Sequence, residues 1–180
     1  MTTLVVVAHR WEATHLPEDT PLVLTGVGMV QAATAVTRAL WERRPTRVVN
    51  LGSVGSLRPG LTGIQRPQAV INRDLNADDI RSMGLTPDER IDLPHGDPDG
   101  PVLGTGDSFV AGGAAREKLL ERCDLVDMEG FAIAHACREF GVDLIMIKHV
   151  SDAADDAARS WSDLVDASAR ALAEAYTGRD

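Results

Sequence analysis

Short apolar runs rich in β-branched residues alternate along this chain with stretches of helical period, and most runs empty into glycine or polar residues. Residues 4–8 read as a buried strand and give way to His9-Arg10-Trp11-Glu12. Residues 22–25 form a second run, ending in Gly26-Val27-Gly28. A helix follows, with Met29, Ala33, Val36, Thr37, Leu40 and Trp41 on one face and Pro45 just past its end. Residues 47–51 run into a glycine-rich turn, Gly52-Ser53-Val54-Gly55-Ser56, and residues 68–72 read as a further strand. Residues 73–101 are rich in Asp, Pro and Gly and read as irregular, with at most a short helix near 78–83. Residues 102–105 form a brief strand before Gly106-Asp107-Ser108-Phe109.

The spacing predicts helices over 114–122 and 129–140, the second burying Ala132, Ile133, Ala136, Cys137 and Phe140 and stopping at Gly141. Residues 144–150 form an apolar strand interrupted by Lys148-His149 and followed by Ser151-Asp152. A last helix carries Trp161, Leu164, Val165, Leu172 and Tyr176, with a Ser160/Asp163 capping box at its start. Such alternation of strand and helix demands an α/β fold on a mixed, largely parallel central sheet, and 180 residues suit one domain, 1–180. Ligands of such sheets sit beyond the carboxyl ends of strands. Here those ends are 8–12, 51–55, 105–109 and 150–152, all polar or glycine-bearing.

Charge and motif spacing exclude several classes. Acidic residues number 27 against 18 basic, a net charge of −9 with no basic run, so the chain repels nucleic acid. No apolar run reaches membrane-spanning length, and the N-terminus lacks a basic leader, so no membrane partner and a cytoplasmic location are expected. Cys123 and Cys137 fit a reducing compartment as small core hydrophobes. Gly26-Val27-Gly28 is not a dinucleotide fingerprint, because Gln31 stands where the third glycine belongs. A phosphate-binding P-loop is absent, and neither the five histidines nor the two cysteines have zinc-ligand spacing, so no cofactor and no metal are expected. Gly106-Asp107-Ser108 lacks the flanking pattern of a serine nucleophile, and a turn capping a helix through Asp107 or Ser108 is the plainer reading.

Val126-Asp127-Met128-Glu129-Gly130 and, after an intervening helix and strand, Ser151-Asp152-Ala153-Ala154-Asp155 place two carboxylates at opposite ends of one buried unit. Together with residues 126–134 and 147–155, Thr25-Gly26-Val27-Gly28, Val49 to Gly55, Gly104 to Val110 and Ala8 to Glu12 occur in the order of the nucleoside phosphorylase/nucleosidase superfamily. The chain resembles that superfamily over nearly its whole length, and most nearly its methylthioadenosine/S-adenosylhomocysteine nucleosidase-type members. The resemblance implies a three-layer sandwich and hydrolysis of the N-glycosidic bond of a purine nucleoside. It also implies a homo-oligomer, with a dimer favoured.

By that resemblance Glu129 takes the ribose hydroxyls, Asp152 protonates the purine or hydrogen-bonds to it, and Glu12 activates water. Met128 lies against the sugar, Phe109 stacks on the base with the Val110 backbone at its edge, and Ser53, Val54 and Gly55 line the pocket. Trp161 meets the 5′ substituent. The plainer alternatives are helix or turn caps for Glu129 and Asp152, with Asp155 the better purely structural cap. For Glu12 the alternative is a solvated loop position, for Met128 and Phe109 core filling, for residues 53–55 a structural turn, and for Trp161 a helix anchor. Asn50, where phosphorylases of the superfamily carry an arginine, points to hydrolysis, with Arg10 as the one cation for a phosphorylase. A nucleoside-binding module without turnover is the alternative of another class, and the retention of three carboxylates argues against it. The segment 72–104 is short for the family. His9 and Arg10 would suit a polar 5′ group.

Overall fold

The computed structural model describes residues 2–155 and 161–178, and of Ala115 and residues 161–163 the backbone alone. The order is β1 (Thr3–Val7), a 3-10 turn (Arg10–Ala13), β2 (Leu22–Leu24), α1 (Met29–Arg43), β3 (Arg47–Ser56), β4 (Gly63–Gln65) and β5 (Ala69–Asn72). It continues with α2 (Ala77–Ser82), β6 (Arg90–Asp92), β7 (Val102–Thr105), α3 (Gly113–Leu119), β8 (Leu125–Asp127), α4 (Gly130–Phe140), β9 (Asp143–Asp152) and α5 (Trp161–Thr177). The strands join in one sheet in the order β2-β1-β3-β8-β7-β5-β6, with β9 beside β3 and β4 beside β9. Most pairs are parallel; β3–β8, β4–β9 and β5–β6 are antiparallel.

Alternation along β1 builds the layers. Leu4 and Val6 point into a core shared with α1 and α4. Val5 and Val7 point to the other face, where Leu172 and Ala175 of α5 cover them. Side chains of period two on a strand require this division. The sheet is thus sandwiched between helix layers, the three-layer α/β architecture the resemblance implies.

Several local expectations are corrected. The run Gly52 to Ser56 is strand, not turn, because β9 pairs with it as far as Gly55 (Gly52 with Lys148, Ser53 with His149, Val54 with Val150) and β8 pairs with Gly55 and Ser56. Strands β4, β6 and β8 are each three residues long and lie where no strand is expected. α1 buries Ala32, Ala35, Val36, Ala39 and Leu40, which leaves Trp41 69% exposed. Small side chains on that face let α1 lie close against α4. Phe140, in the last turn of α4, is 40% exposed. The Ser160/Asp163 box lies outside the described residues.

β9 pairs along one edge of β3 from Arg47 to Gly55, with a register shift after Val54. The other edge is paired with β1 only up to Asn50 and with β8 only from Gly55. Between them β3 has a gap, and both the chain leaving β1 and the chain leaving β8 open onto it.

Candidate active site

A cavity of about 230 Å³ opens at this gap, and nine of the ten expected site residues line it. Glu12, Glu129 and Asp152 reach it from three separate elements. Ser53, Val54 and Gly55 come from β3, Phe109 and Val110 from the loop after β7, and Met128 from the end of β8. Trp161 opens α5, but its side chain lies outside the described residues.

Glu12 is 3% exposed and fills the gap itself. Its Oε1 accepts from the Ser53 backbone N–H and from Ser53 Oγ, both at 2.8 Å, while Oε2 accepts from the His9 backbone N–H at 3.3 Å. The last bond closes a capping box on the 3-10 turn, since His9 Nδ1 accepts from the Trp11 N–H. Glu12 is therefore a fixed buried carboxylate rather than a solvated loop residue. Arg10, by contrast, is exposed and stands off the cavity wall, which His9 lines.

Glu129 occupies the N-cap position of α4, where its side chain makes no cap hydrogen bond. It reaches instead to α1, accepting from the Gly28 N–H at 2.8 Å. Burial, then the neighbouring Asp127 charge, push its pKa up to about 7, against the pull of the Gly28 bond and Lys148. Asp127 supplies the local capping: Oδ2 accepts from the Gly130 N–H at 3.0 Å, and Oδ1 from Thr105 Oγ1 at 2.6 Å. Asp127 also holds the Lys148 ammonium at 2.9 Å, in an ion pair with both side chains 2% exposed. A Cβ on Gly52 would lie 3.2 Å from Lys148 Nζ and 3.7 Å from Glu12 Oε1, so a side chain there would crowd the lysine ammonium. Lys148 is thus a charge set among carboxylates, not an interruption of a strand.

Asp152 lies at the end of β9. Its Oδ1 accepts from the Ala154 N–H at 2.8 Å and its Oδ2 from Ser151 Oγ at 2.7 Å. Asp152 itself therefore caps the turn after β9, a role the residue pattern offers to Asp155. Ser151 Oγ also lies 3.3 Å from the Val54 carbonyl.

Opposite these groups, Phe109 is 57% exposed at the cavity mouth, whereas Val110 is buried. Asp107 does cap a helix, but a distant one: its Oδ1 accepts from the Met29 N–H of α1 at 2.7 Å. Arg73 and Ser108 line the cavity too, and residue-by-residue reading missed both. Arg73 follows β5 directly, and an arginine at a strand end on the ligand side of the sheet was the available signal.

The residues matching the description "Phosphorylase superfamily" are 18–99 and 98–177. A 5′-methylthioadenosine/S-adenosylhomocysteine nucleosidase of Actinobacillus succinogenes is 30% identical, over 87% of this chain and 78% of that protein. One of Baumannia cicadellinicola is 31% identical, over 74% and 68%. Among solved structures, the corresponding Helicobacter pylori nucleosidase, complexed with a pyrrolopyrimidinylmethyl-pyrrolidinol, superposes with a TM-score of 0.84 at 19% identity, over 98% of this chain and 96% of that one. A futalosine hydrolase mutant of the same organism gives 0.82 at 19% identity, over 97% and 96%. With its matched residues spanning nearly the whole sequence, this chain belongs to the phosphorylase superfamily.

Proposed function

We propose that this chain is a cytoplasmic, single-domain purine nucleosidase. It hydrolyses the N-glycosidic bond of methylthioadenosine, S-adenosylhomocysteine or a related 5′-modified purine nucleoside, and it acts as a homodimer. The observation that carries this reading is the convergence of Glu12, Glu129 and Asp152 on one cleft with Phe109 and Met128 on its walls. The nucleosidase relatives support the same reaction class.

Breaking the bond builds positive charge on the ribose and negative charge on the leaving purine, so the site must stabilise both. Glu129 accepts the ribose hydroxyls, whose hydrogen bonds and developing cation favour its ionised form. Met128 packs on the sugar and Phe109 on the base, with Val110 at the base edge and Trp161 toward the 5′ substituent. Asp152 hydrogen-bonds to the leaving purine or passes it a proton, and Ser151 Oγ, which donates to Asp152 Oδ2, also has the Val54 carbonyl within reach. Glu12, fixed by Ser53 and His9, orients a water and takes its proton as the water oxygen bonds to the anomeric carbon. The bond to the purine breaks, and free base and a ribose derivative leave.

Water rather than phosphate is favoured by the cations. Arg73 is the one guanidinium among the described residues lining the cavity, and both of its terminal nitrogens are engaged by protein oxygens. The dimer is supported by exposed apolar side chains: Val27 and Phe109 on the cavity wall, Trp11 in the 3-10 turn that carries Glu12, and Val30 in the first turn of α1.

Incubating the protein with methylthioadenosine, with and without phosphate, tests the reaction. Free adenine and methylthioribose should form equally in both. Asp152→Asn should slow turnover by roughly a hundredfold or more, in the range of lost general-acid catalysis, while still binding adenine. No turnover by the parent on purine nucleosides would sink the reading, and a phosphate requirement would replace it with phosphorolysis.

A further inference from the structure

Arg73 and Asp74 belong to none of the steps above, yet they are built into the cavity wall from behind. The Arg73 side chain is 4% exposed. Its Nη2 donates to the Gly106 carbonyl at 2.9 Å and to the Ser108 carbonyl, and its Nη1 donates to Ser108 Oγ and to Asp74 Oδ1, both at 3.1 Å. Asp74 completes the grip, its Oδ2 accepting from the Asp107 N–H at 2.7 Å. Three consecutive residues of the loop after β7 are therefore held by one ion pair. Among the described residues, Arg73 Nε is buried and has no hydrogen-bond partner, a cost offset by the remaining bonds.

The grip does not end at the loop. Asp107, whose own N–H is held by Asp74, takes the Met29 N–H at the start of α1. The preceding N–H, of Gly28, is the one that Glu129 takes. Adjacent donors of one helix terminus thus bind one carboxylate from the loop that carries Phe109 and one that faces the sugar.

We propose that Arg73 and Asp74 are positioning residues: together they set loop 106–110 against the start of α1, so that the base-holding and sugar-holding sides of the cleft keep a fixed separation. The substrate side of this proposal rests on the nucleosidase reading; the mechanical side does not. A planar guanidinium is required, because a lysine ammonium cannot serve two carbonyls, a hydroxyl and a carboxylate from one geometry.

The experiment compares the parent with Asp74→Ala and Arg73→Lys. Amide hydrogen exchange should speed up at 106–110 and at 28–29 in both variants and stay unchanged in β3 and β9. The KM for methylthioadenosine should rise about tenfold, the loss of one charge-assisted bond, with kcat within about threefold of the parent. Exchange at the parent's rate in 106–110, uniform acceleration across the protein, or equal falls in kcat and kcat/KM would each overturn the proposal. If the parent turns over no nucleoside, the nucleosidase reading fails by itself, and hydrogen exchange still decides the clamp. Should Asp74→Ala fail to fold, Arg73→Lys carries the test.

Discussion

Glu129 is a carboxylate held where charge is unfavourable. Its pKa near 7 means that the folded protein binds this proton far more tightly than the unfolded chain, whose reference value is 4.5. The sign follows directly. Stability from the protonated acid is complete below about pH 4.5 and is lost as the pH rises through 7. Glu129→Gln keeps an oxygen for the Gly28 N–H and cannot ionise. The stability gap between variant and parent should therefore shift in favour of the variant by on the order of 3 kcal/mol between pH 4.5 and pH 8. Urea denaturation at the two pH values checks this, and a gap that stays constant would contradict it. The same substitution should abolish turnover, because an amide cannot stabilise a cationic sugar. Stability and activity are thus opposed at this residue. Lys148 limits the opposition: its ammonium, paired with Asp127, lowers the Glu129 pKa that burial and Asp127 raise.

At the scale of elements, the start of α1 has the most to lose. Gly28 has φ +99°, and a Cβ there would meet Asp107 Oδ1 at 2.9 Å. Gly28→Ala should destabilise the protein by about 1–3 kcal/mol through backbone strain alone, read as a lower urea midpoint at an unchanged slope; wild-type stability would refute the strain. Such positions show how much of the molecule was legible beforehand. β1 and α4 stand out in the residue pattern because a β-branched run and a helical apolar face are local signals. Strands β4, β6 and β8 do not, since three residues are too few for a period and their pairing partners are remote. Gly52 to Gly55 looked like a turn by composition, and only the pairing with β9 makes it a strand. The carboxylates, Phe109 and Met128 were legible through the superfamily resemblance. For Arg73 the signal was its place at the end of β5 alone, because it heads a stretch whose Asp, Pro and Gly content hides any period.

At the scale of the whole molecule, the cleft is made by strands that run straight out of the core. β3 and β9 each span ten residues and carry both buried apolar side chains and cavity residues. In the first turn of α1, three residues after cavity-lining Val27, Val30 is 76% exposed. Sedimentation equilibrium should give twice the monomer mass, and Val30→Glu should shift the protein toward monomer; a parent that sediments as a monomer would end the dimer proposal.

The gap in β3 carries a last consequence. An unpaired strand edge is a template on which another chain can add a strand, the first step of aggregation. In this sheet the opening is interior, and the Ser53 N–H that would recruit a stranger is taken by Glu12. The side chain assigned to water is also a stopper in the sheet. Removing it frees that N–H within the sheet and takes away the carboxylate proposed to hold the water.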